Sequence, residues 1–151
     1  MEQNIYEALD WLFLRVKKSR LSELAGRTPA WLTIYQQHRP QQGTPAYFSQ
    51  AQVDLLQKAW DELADQISVR AFLQVPSREQ AQNWAHVNEI FLSKFFHQVL
   101  GCPARYFENR CRTVHTMPWT EDEILRMNAA IQATAQQMRQ TRLVVDPLPA
   151  S

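Results

Sequence analysis

Residues 21–35 read LSELAGRTPAWLTIY, and residues 96–110 read FHQVLGCPARYFENR. A shift of 75 positions places Gly26 on Gly101. In both stretches the glycine follows an apolar segment and precedes a proline and a pair of large side chains that begins with an aromatic residue. Because glycine adopts the left-handed conformation that ends a helix at little cost, each stretch predicts a helix, a glycine turn and a second helix. The sequence therefore contains the outline of a helix-turn-helix twice.

The match continues downstream of both stretches. A shift of 71 positions places residues 48–53 on residues 119–124. Both segments open with an aromatic residue, which is followed by a Ser or Thr helix N-cap and a helical run. We interpret this repeated order as an internal duplication. The prediction is an all-α protein of about eight helices, built as tandem duplicated helix-turn-helix-like bundles with halves at residues 1–75 and 76–151.

The composition agrees with a helical, folded chain. With 151 residues, 45% of them hydrophobic, the protein can bury one good core or two small cores packed together. Only three glycines and few alternating β-branched residues argue against a sheet. The abundance of Ala, Gln, Leu, Glu and Arg favours helices.

Helical periodicity and capping signals divide the chain into segments. The predicted helices span residues 4–18, 20–25, 30–38, 49–67, 78–92, 93–100, 103–112 and 120–141, of which 78–92 and 93–100 could be continuous. Residues 39–46 are predicted to be a loop, and residues 143–151 a loose tail.

The junction between the halves is predicted at residues 68–78. Residues 69–75 are mostly apolar and could extend the preceding helix, which Pro76 stops. Ser77 and Gln80 have the spacing of a capping box, so the second half is expected to begin there.

Charge is distributed unevenly, although the net charge is only +1. Residues 11–45 contain six Lys or Arg against one acid, Glu23, and residues 91–118 contain four against Glu108. Both helix-turn-helix segments are therefore basic, a pattern that can steer a polyanion. Solvated helix faces are the alternative interpretation of each cluster.

A helix-turn-helix requires apolar side chains where its two helices cross. Counted from the turn glycine, these inner positions are Leu21, Ala25, Leu32 and Tyr35 in the first half and Phe96, Leu100, Phe107 and Arg110 in the second. The first set fits. The second set fits except for its arginine, whose register could slip because the proline of that half lies one place nearer the glycine.

These positions carry a family resemblance. Residues 5–67, and more weakly residues 82–140, resemble the lambda-repressor-like helix-turn-helix superfamily. Arg27 departs from the family pattern, which has an apolar residue after the turn glycine, whereas Cys102 fits it. The chain is also similar in general character to short proteins encoded on bacterial mobile elements.

The resemblance implies a transcription regulator that binds duplex DNA through the outward face of each second helix and through cations before the first unit. The implied DNA-binding residues are Lys17, Lys18, Arg20, Arg27, Thr28, Thr33, Gln36, Gln37 and Arg39 in the first half and Arg105, Asn109, Arg110 and Arg112 in the second. Gln can pair with adenine edges and Arg with guanine edges. Polar faces of core-forming helices are the alternative interpretation.

Two pairs of adjacent large residues, Trp31–Leu32 and Tyr106–Phe107, are expected to pack at the helix crossings. Adjacent positions of an α-helix lie 100° apart around its axis. We therefore expect one member of each pair to be deeply buried and the other to lie at an edge.

Catalytic and metal-binding patterns are not recognised in the sequence, so neither an enzyme nor a cofactor is expected. Cys102 and Cys111 match no zinc or disulfide framework and are predicted to be small apolar side chains in a reducing compartment. No signal peptide and no membrane span is predicted, so the expected location is the cytoplasm.

The sequence is also compatible with a second function. A protein-interaction module, such as an adaptor, antirepressor or inhibitor, could use the same fold without binding DNA, and its partner could be another protein or a second copy of the chain. The low net charge favours this alternative, whereas the basic motif segments favour DNA.

Overall fold

The computed structural model of the protein describes residues 1–33, 48–112 and 118–145. Its helices are α1 (Ile5–Phe13), α2 (Lys18–Leu24), α3 (Gln50–Ser68), α4 (Ser77–Asn88), α5 (Ser93–Leu100), α6 (Ala104–Cys111) and α7 (Glu121–Arg139). Residues 31–33 are also helical. Two short strands, β1 (Glu2–Asn4) and β2 (Arg142–Val144), form a parallel pair. The prediction of an all-α fold with about eight helices is confirmed.

The order of elements recurs along the chain with the predicted offsets. Helices α3 and α7 are both 19 residues long, and each begins with a complete capping box, Ser49 with Gln52 and Thr120 with Glu123. Gly26 and Gly101 both adopt positive φ, 71° and 69°, in the turns after α2 and α5. The duplicated signals that the sequence contains therefore correspond to equivalent local structures.

Equivalent residues of the two halves also meet in space. Val16 and Phe91, which are 75 positions apart, form an antiparallel bridge between the turn after α1 and the turn after α4. Lys17 N donates to Ile90 O at 2.8 Å, and Leu92 N donates to Arg15 O at 2.9 Å. Each bond is the counterpart of the other under the 75-residue shift. The bridge therefore lies on a local pseudo-twofold axis.

The segments that follow the two long helices pack in a reciprocal way. Phe72, which follows α3, bonds through its backbone to the Asn128 amide of α7, with N···Oδ1 of 2.7 Å. Leu143, which follows α7, donates its backbone N–H to Gln57 Oε1 of α3 at 2.7 Å. Both pairs are related by the 71-residue shift. Packing thus crosses the boundary at residue 75, and the division of the chain into two domains stays a prediction.

Several predicted boundaries are wrong because tertiary contacts override local signals. Helix α1 ends at Phe13 rather than Lys18, since Val16 is used in the bridge. Residues 69–76 are not helical, and α4 and α5 are separate helices. The N-cap of α4 is Pro76, with no side-chain cap, so the capping box predicted at Ser77 does not form. Residues 143 and 144 belong to β2 and residue 145 follows it, whereas a loose tail was predicted from residue 143 onward.

One hydrophobic cluster includes side chains from both halves. At its centre α3 packs against α7, where Trp60 Nε1 donates to Met138 O at 2.9 Å. The paired large residues behave as expected. Leu32 and Phe107 are fully buried, whereas Trp31 is half-buried and Tyr106 is 47% exposed. The remaining residues of the predicted third helix, and the loop after it, lie outside the described residues.

Candidate nucleic-acid interface

The first helix-turn-helix unit consists of α2, the Gly26 turn and the helix that begins at residue 31. Arg27 and Thr28 are exposed, and Thr33 is half-buried. The Arg27 guanidinium lies 5.4 Å from the centre of the Trp31 ring. The unit therefore presents a cation and a hydroxyl directly after its turn. The predicted residues Gln36, Gln37 and Arg39 lie outside the described part of the chain.

Three further predicted cations lie where α2 begins, next to the Val16–Phe91 bridge. Lys17, Lys18 and Arg20 are all half-buried. Lys18 Nζ lies 5.7 Å from the centre of the Phe13 ring, and Arg20 Nε donates to Gln66 Oε1 at 3.2 Å. Lys17 is fixed through its backbone bond across the bridge. The structure thus brings positive charge from the first half close to the pseudo-twofold axis.

The second unit consists of α5, the Gly101 turn and α6. Arg105 and Arg112 are exposed, and Asn109 is half-buried. No ion pair among the described residues involves either of these two arginines. Glu108 is exposed on the same helix and accepts from the Ser93 hydroxyl at 3.4 Å. The surface of α6 is therefore less uniformly basic than its sequence neighbourhood suggests.

Arg110 does not lie on the outward face of α6, contrary to its place in the predicted DNA-binding set. It is only 7% exposed. Its Nη1 donates to Glu123 Oε2 at 2.7 Å, its Nη2 donates to Pro118 O at 2.8 Å, and its guanidinium lies 4.3 Å from the Trp119 ring centre. A side chain held by these contacts is a core element, so the register slip considered for this position does not occur.

Gln80 belongs to the same buried network. Its Oε1 accepts from Trp119 N at 3.0 Å, and its Nε2 donates to Arg110 O. The side chain is only 2% exposed. A buried amide must satisfy both its donor and its acceptor, and Gln80 does so by joining α4, α6 and the segment before α7.

Lys94 is a cation that the predicted set omitted. It is exposed in the first turn of α5, two residues after Leu92, whose backbone is bonded across the bridge. The 75-residue shift places it on Ser19, next to Lys17 and Lys18. Applying the 75-residue shift to the cluster of Lys17 and Lys18 could have identified Lys94 from the sequence.

The two units offer different side chains at equivalent positions. Arg27 of the first corresponds to Cys102 of the second, and Arg105 of the second corresponds to Ala30 of the first. Two units related in this way are suited to two similar phosphate backbones, and they would present different side chains to the two binding sites.

The remaining chemistry of the described residues is limited. Burial raises the pKa of the Cys111 thiol, and burial likewise raises the pKa of Cys102, so both thiols are held in their protonated form. No group of His, Cys, Asp or Glu in the described ranges has the arrangement of a metal site. Within those ranges, none of the helices combines the length and apolar character that a membrane span requires.

Comparison of the chain with models of known protein families, with curated proteins and with solved structures finds no match. Any assignment of function therefore depends on the residues and geometry given above.

Proposed function

We propose that the protein binds duplex DNA, with both helix-turn-helix units of one chain facing the same duplex. The observation that carries the proposal is the pseudo-twofold relation of the units at the Val16–Phe91 bridge. Dimeric helix-turn-helix regulators place two recognition helices on successive half-sites by such symmetry. Here the symmetry is internal, so a single chain gains the avidity that other regulators obtain by dimerisation.

The charges that support this proposal fall into two groups. Lys17, Lys18 and Lys94 are near the bridge and are suited to contact phosphates on either side of the axis. Arg27 and Arg105 are exposed and are candidates for base or phosphate contacts.

The remaining members of the proposed set are Arg20, Thr28, Thr33, Asn109 and Arg112, together with Gln36, Gln37 and Arg39. Arg110 is left out, because its guanidinium is buried against Glu123. Since the two units differ in their side chains, the proposed target has two unequal half-sites.

Binding of a random-sequence duplex, followed by fluorescence anisotropy at about 50 mM and about 200 mM salt, tests the proposal. We expect the affinity to fall steeply between the two conditions, because bound phosphates release counterions. The double change Lys17→Ala and Lys18→Ala should lower the salt slope by about one unit for each phosphate that the variant no longer binds. Lys58→Ala is the matched control, since Lys58 is an exposed cation on α3 outside the proposed interface.

A folded protein that fails to bind DNA at low salt would contradict the proposal. The protein-interaction function would then be preferred, and one observation favours it independently. Leu125 of α7 is 71% exposed and Leu73 is 55% exposed. Leu73 adjoins Phe72, which is bonded to Asn128, one helical turn from Leu125. These apolar side chains are a candidate contact surface for a partner protein or a second copy of the chain.

A further inference from the structure

Arg15 lies where the two halves meet and is not used in the proposed DNA contacts. Its guanidinium lies 4.4 Å from the centre of the Trp11 ring and 5.6 Å from the centre of the Phe95 ring. Its Nη1 donates to Trp11 O at 2.7 Å. Burial lowers the pKa of Arg15. No carboxylate in the described ranges pairs with it.

An open cleft of about 330 Å³ borders this guanidinium, and we call it the seam cleft. Its walls come from α1 and the turn after it, from α5 and from α7, so that both halves contribute, and they include Trp11, Arg15, Phe95, Val99, Ala133 and Gln137. The volume lies at the lower end of the range for small-molecule sites, about 300–1,000 Å³. Apolar walls with few polar groups are typical of such sites.

The polar groups of the seam cleft are not equally occupied. The Thr134 hydroxyl donates to Ala130 O at 2.8 Å, within its own helix. The Gln137 side-chain amide has no hydrogen-bond partner among the described residues. Arg15 uses only one of the five N–H donors of a guanidinium, in its bond to Trp11. Unused N–H donors of Arg15 and Gln137 therefore border the apolar walls of the seam cleft.

The equivalent position on the other side of the pseudo-twofold axis is filled differently. There Ile90 corresponds to Arg15, and Arg20 corresponds to Phe95. Arg20 Nε is bonded to Gln66, the counterpart of Gln137. On that side the protein's own cation donates to the amide oxygen, whereas no hydrogen bond joins Arg15 to the Gln137 side chain in the seam cleft. The asymmetry points to a group from outside the chain.

We propose that the seam cleft binds a small apolar carboxylate. The carboxylate pairs with the Arg15 guanidinium, which is suited to carboxylates by its planar, forked donors. The apolar part packs between Trp11, Phe95 and Ala133, and the Gln137 amide donates to a carboxylate oxygen. Such a ligand contacts both halves at once.

Isothermal titration calorimetry with benzoate, phenylacetate and hexanoate, each compared with its neutral amide, tests the proposal. We expect at least one acid to bind the full chain with an affinity at least tenfold above that of its amide, because only the acid carries the charge that Arg15 recognises. Arg15→Met should remove that preference, and Ala133→Phe, at an exposed position of the cleft wall, should block both compounds. Arg78→Met is the control, since Arg78 is exposed on α4 away from the cleft.

The absence of saturable binding by all three acids at millimolar concentrations would overturn the proposal. So would equal binding of acid and amide, or unchanged binding after Ala133→Phe in a protein whose circular dichroism spectrum matches the parent. If Arg15→Met does not fold, Arg15→Lys replaces it, and a tenfold or greater loss of acid preference is expected because lysine lacks the forked donors. These outcomes are independent of DNA binding, so failure here leaves the proposed function unaffected.

Discussion

Phe48 and Trp119 occupy equivalent positions in the two halves, 71 residues apart, and both are 3% exposed. Each precedes the capping box of a long helix. Phe48 has aromatic neighbours, with its ring centre 5.3 Å from that of Tyr6 and 6.2 Å from that of Trp31. Two aromatic rings of the first half therefore lie beside this position.

The second half places polar groups beside the equivalent position. Gln80, Arg110 and Glu123 form a bonded network beside the Trp119 ring. The counterpart of Gln80 in the first half is Ile5, which is fully buried. Equivalent positions of the two halves thus accept an apolar filling at Ile5 and a hydrogen-bonded filling at Gln80. The polar filling has a stricter requirement, because each of its members needs a partner once water is excluded.

The largest expected effect comes from a feature that the halves share, the large buried residue in the second helix of each helix-turn-helix unit. Phe107→Ala should lower the free energy of unfolding by about 3–5 kcal/mol, because it leaves a cavity among the rings of Trp84, Phe96 and Trp119. Leu32→Ala should cost about 2–5 kcal/mol. Urea unfolding measures both changes. A comparable destabilisation in Tyr106→Ala, at a half-exposed position, would contradict the assigned helix face.

The second-largest expected effect concerns Arg110, in the polar network of the second half. Arg110→Ala should cost about 3 kcal/mol, because it leaves Glu123 Oε2 and the Pro118 carbonyl without their donor. We place the value at the lower end for a buried pair, since the Glu123 side chain is 20% exposed. Arg139→Ala, which breaks an exposed pair with Asp65, should cost less than about 1 kcal/mol in the same unfolding experiment. Equal costs would mean that the network adds no stability beyond that of a surface pair.

Signals that act over a few residues made most of the fold predictable. The glycine turns and the N-caps Ser49 and Thr120 each depend on contacts within four or five residues, and the structure has them at the predicted places, whereas the capping box predicted at Ser77 is absent. Features that depend on distant residues were not predictable. The strand pair joins Glu2 to Arg142, and the bond between Phe72 and Asn128 spans 56 positions.

For the candidate site residues, the structure tests only their exposure. Arg27, Arg105 and Arg112 are exposed, although Arg27 lies in the turn before a helix and Arg112 follows the end of α6. Arg110 was placed outward, yet it is buried because Glu123 and Trp119, on another segment, receive its guanidinium. Gln80 matched a capping pattern, but its partners lie 30 and 39 positions away. Whether the exposed set binds DNA stays a prediction.

The turn glycines provide a test in which the halves should behave alike. Gly26→Ala and Gly101→Ala should each cost about 1–2 kcal/mol, because a side chain disfavours the left-handed conformation that both residues adopt. An added Cβ would meet no atom within 4 Å at either site, so the cost is conformational rather than steric. Thermal unfolding of both variants measures it. Replacement by Asn, which tolerates this conformation better, should recover part of the stability.

The smallest expected effect concerns the two capping boxes, and it tests how far the equivalence of the halves extends. Ser49→Ala and Thr120→Ala should each cost about 1 kcal/mol, because each removes the side-chain acceptor of one N–H at the start of a 19-residue helix. The caps share no partner, so the double variant should be destabilised by about the sum of the two values in urea unfolding. Glu123 serves the second box with one oxygen and Arg110 with the other. A cost at Thr120 clearly above that at Ser49 would therefore show that the buried network and the cap are coupled in the second half alone. A double variant that departs from additivity would instead place the coupling between α3 and α7.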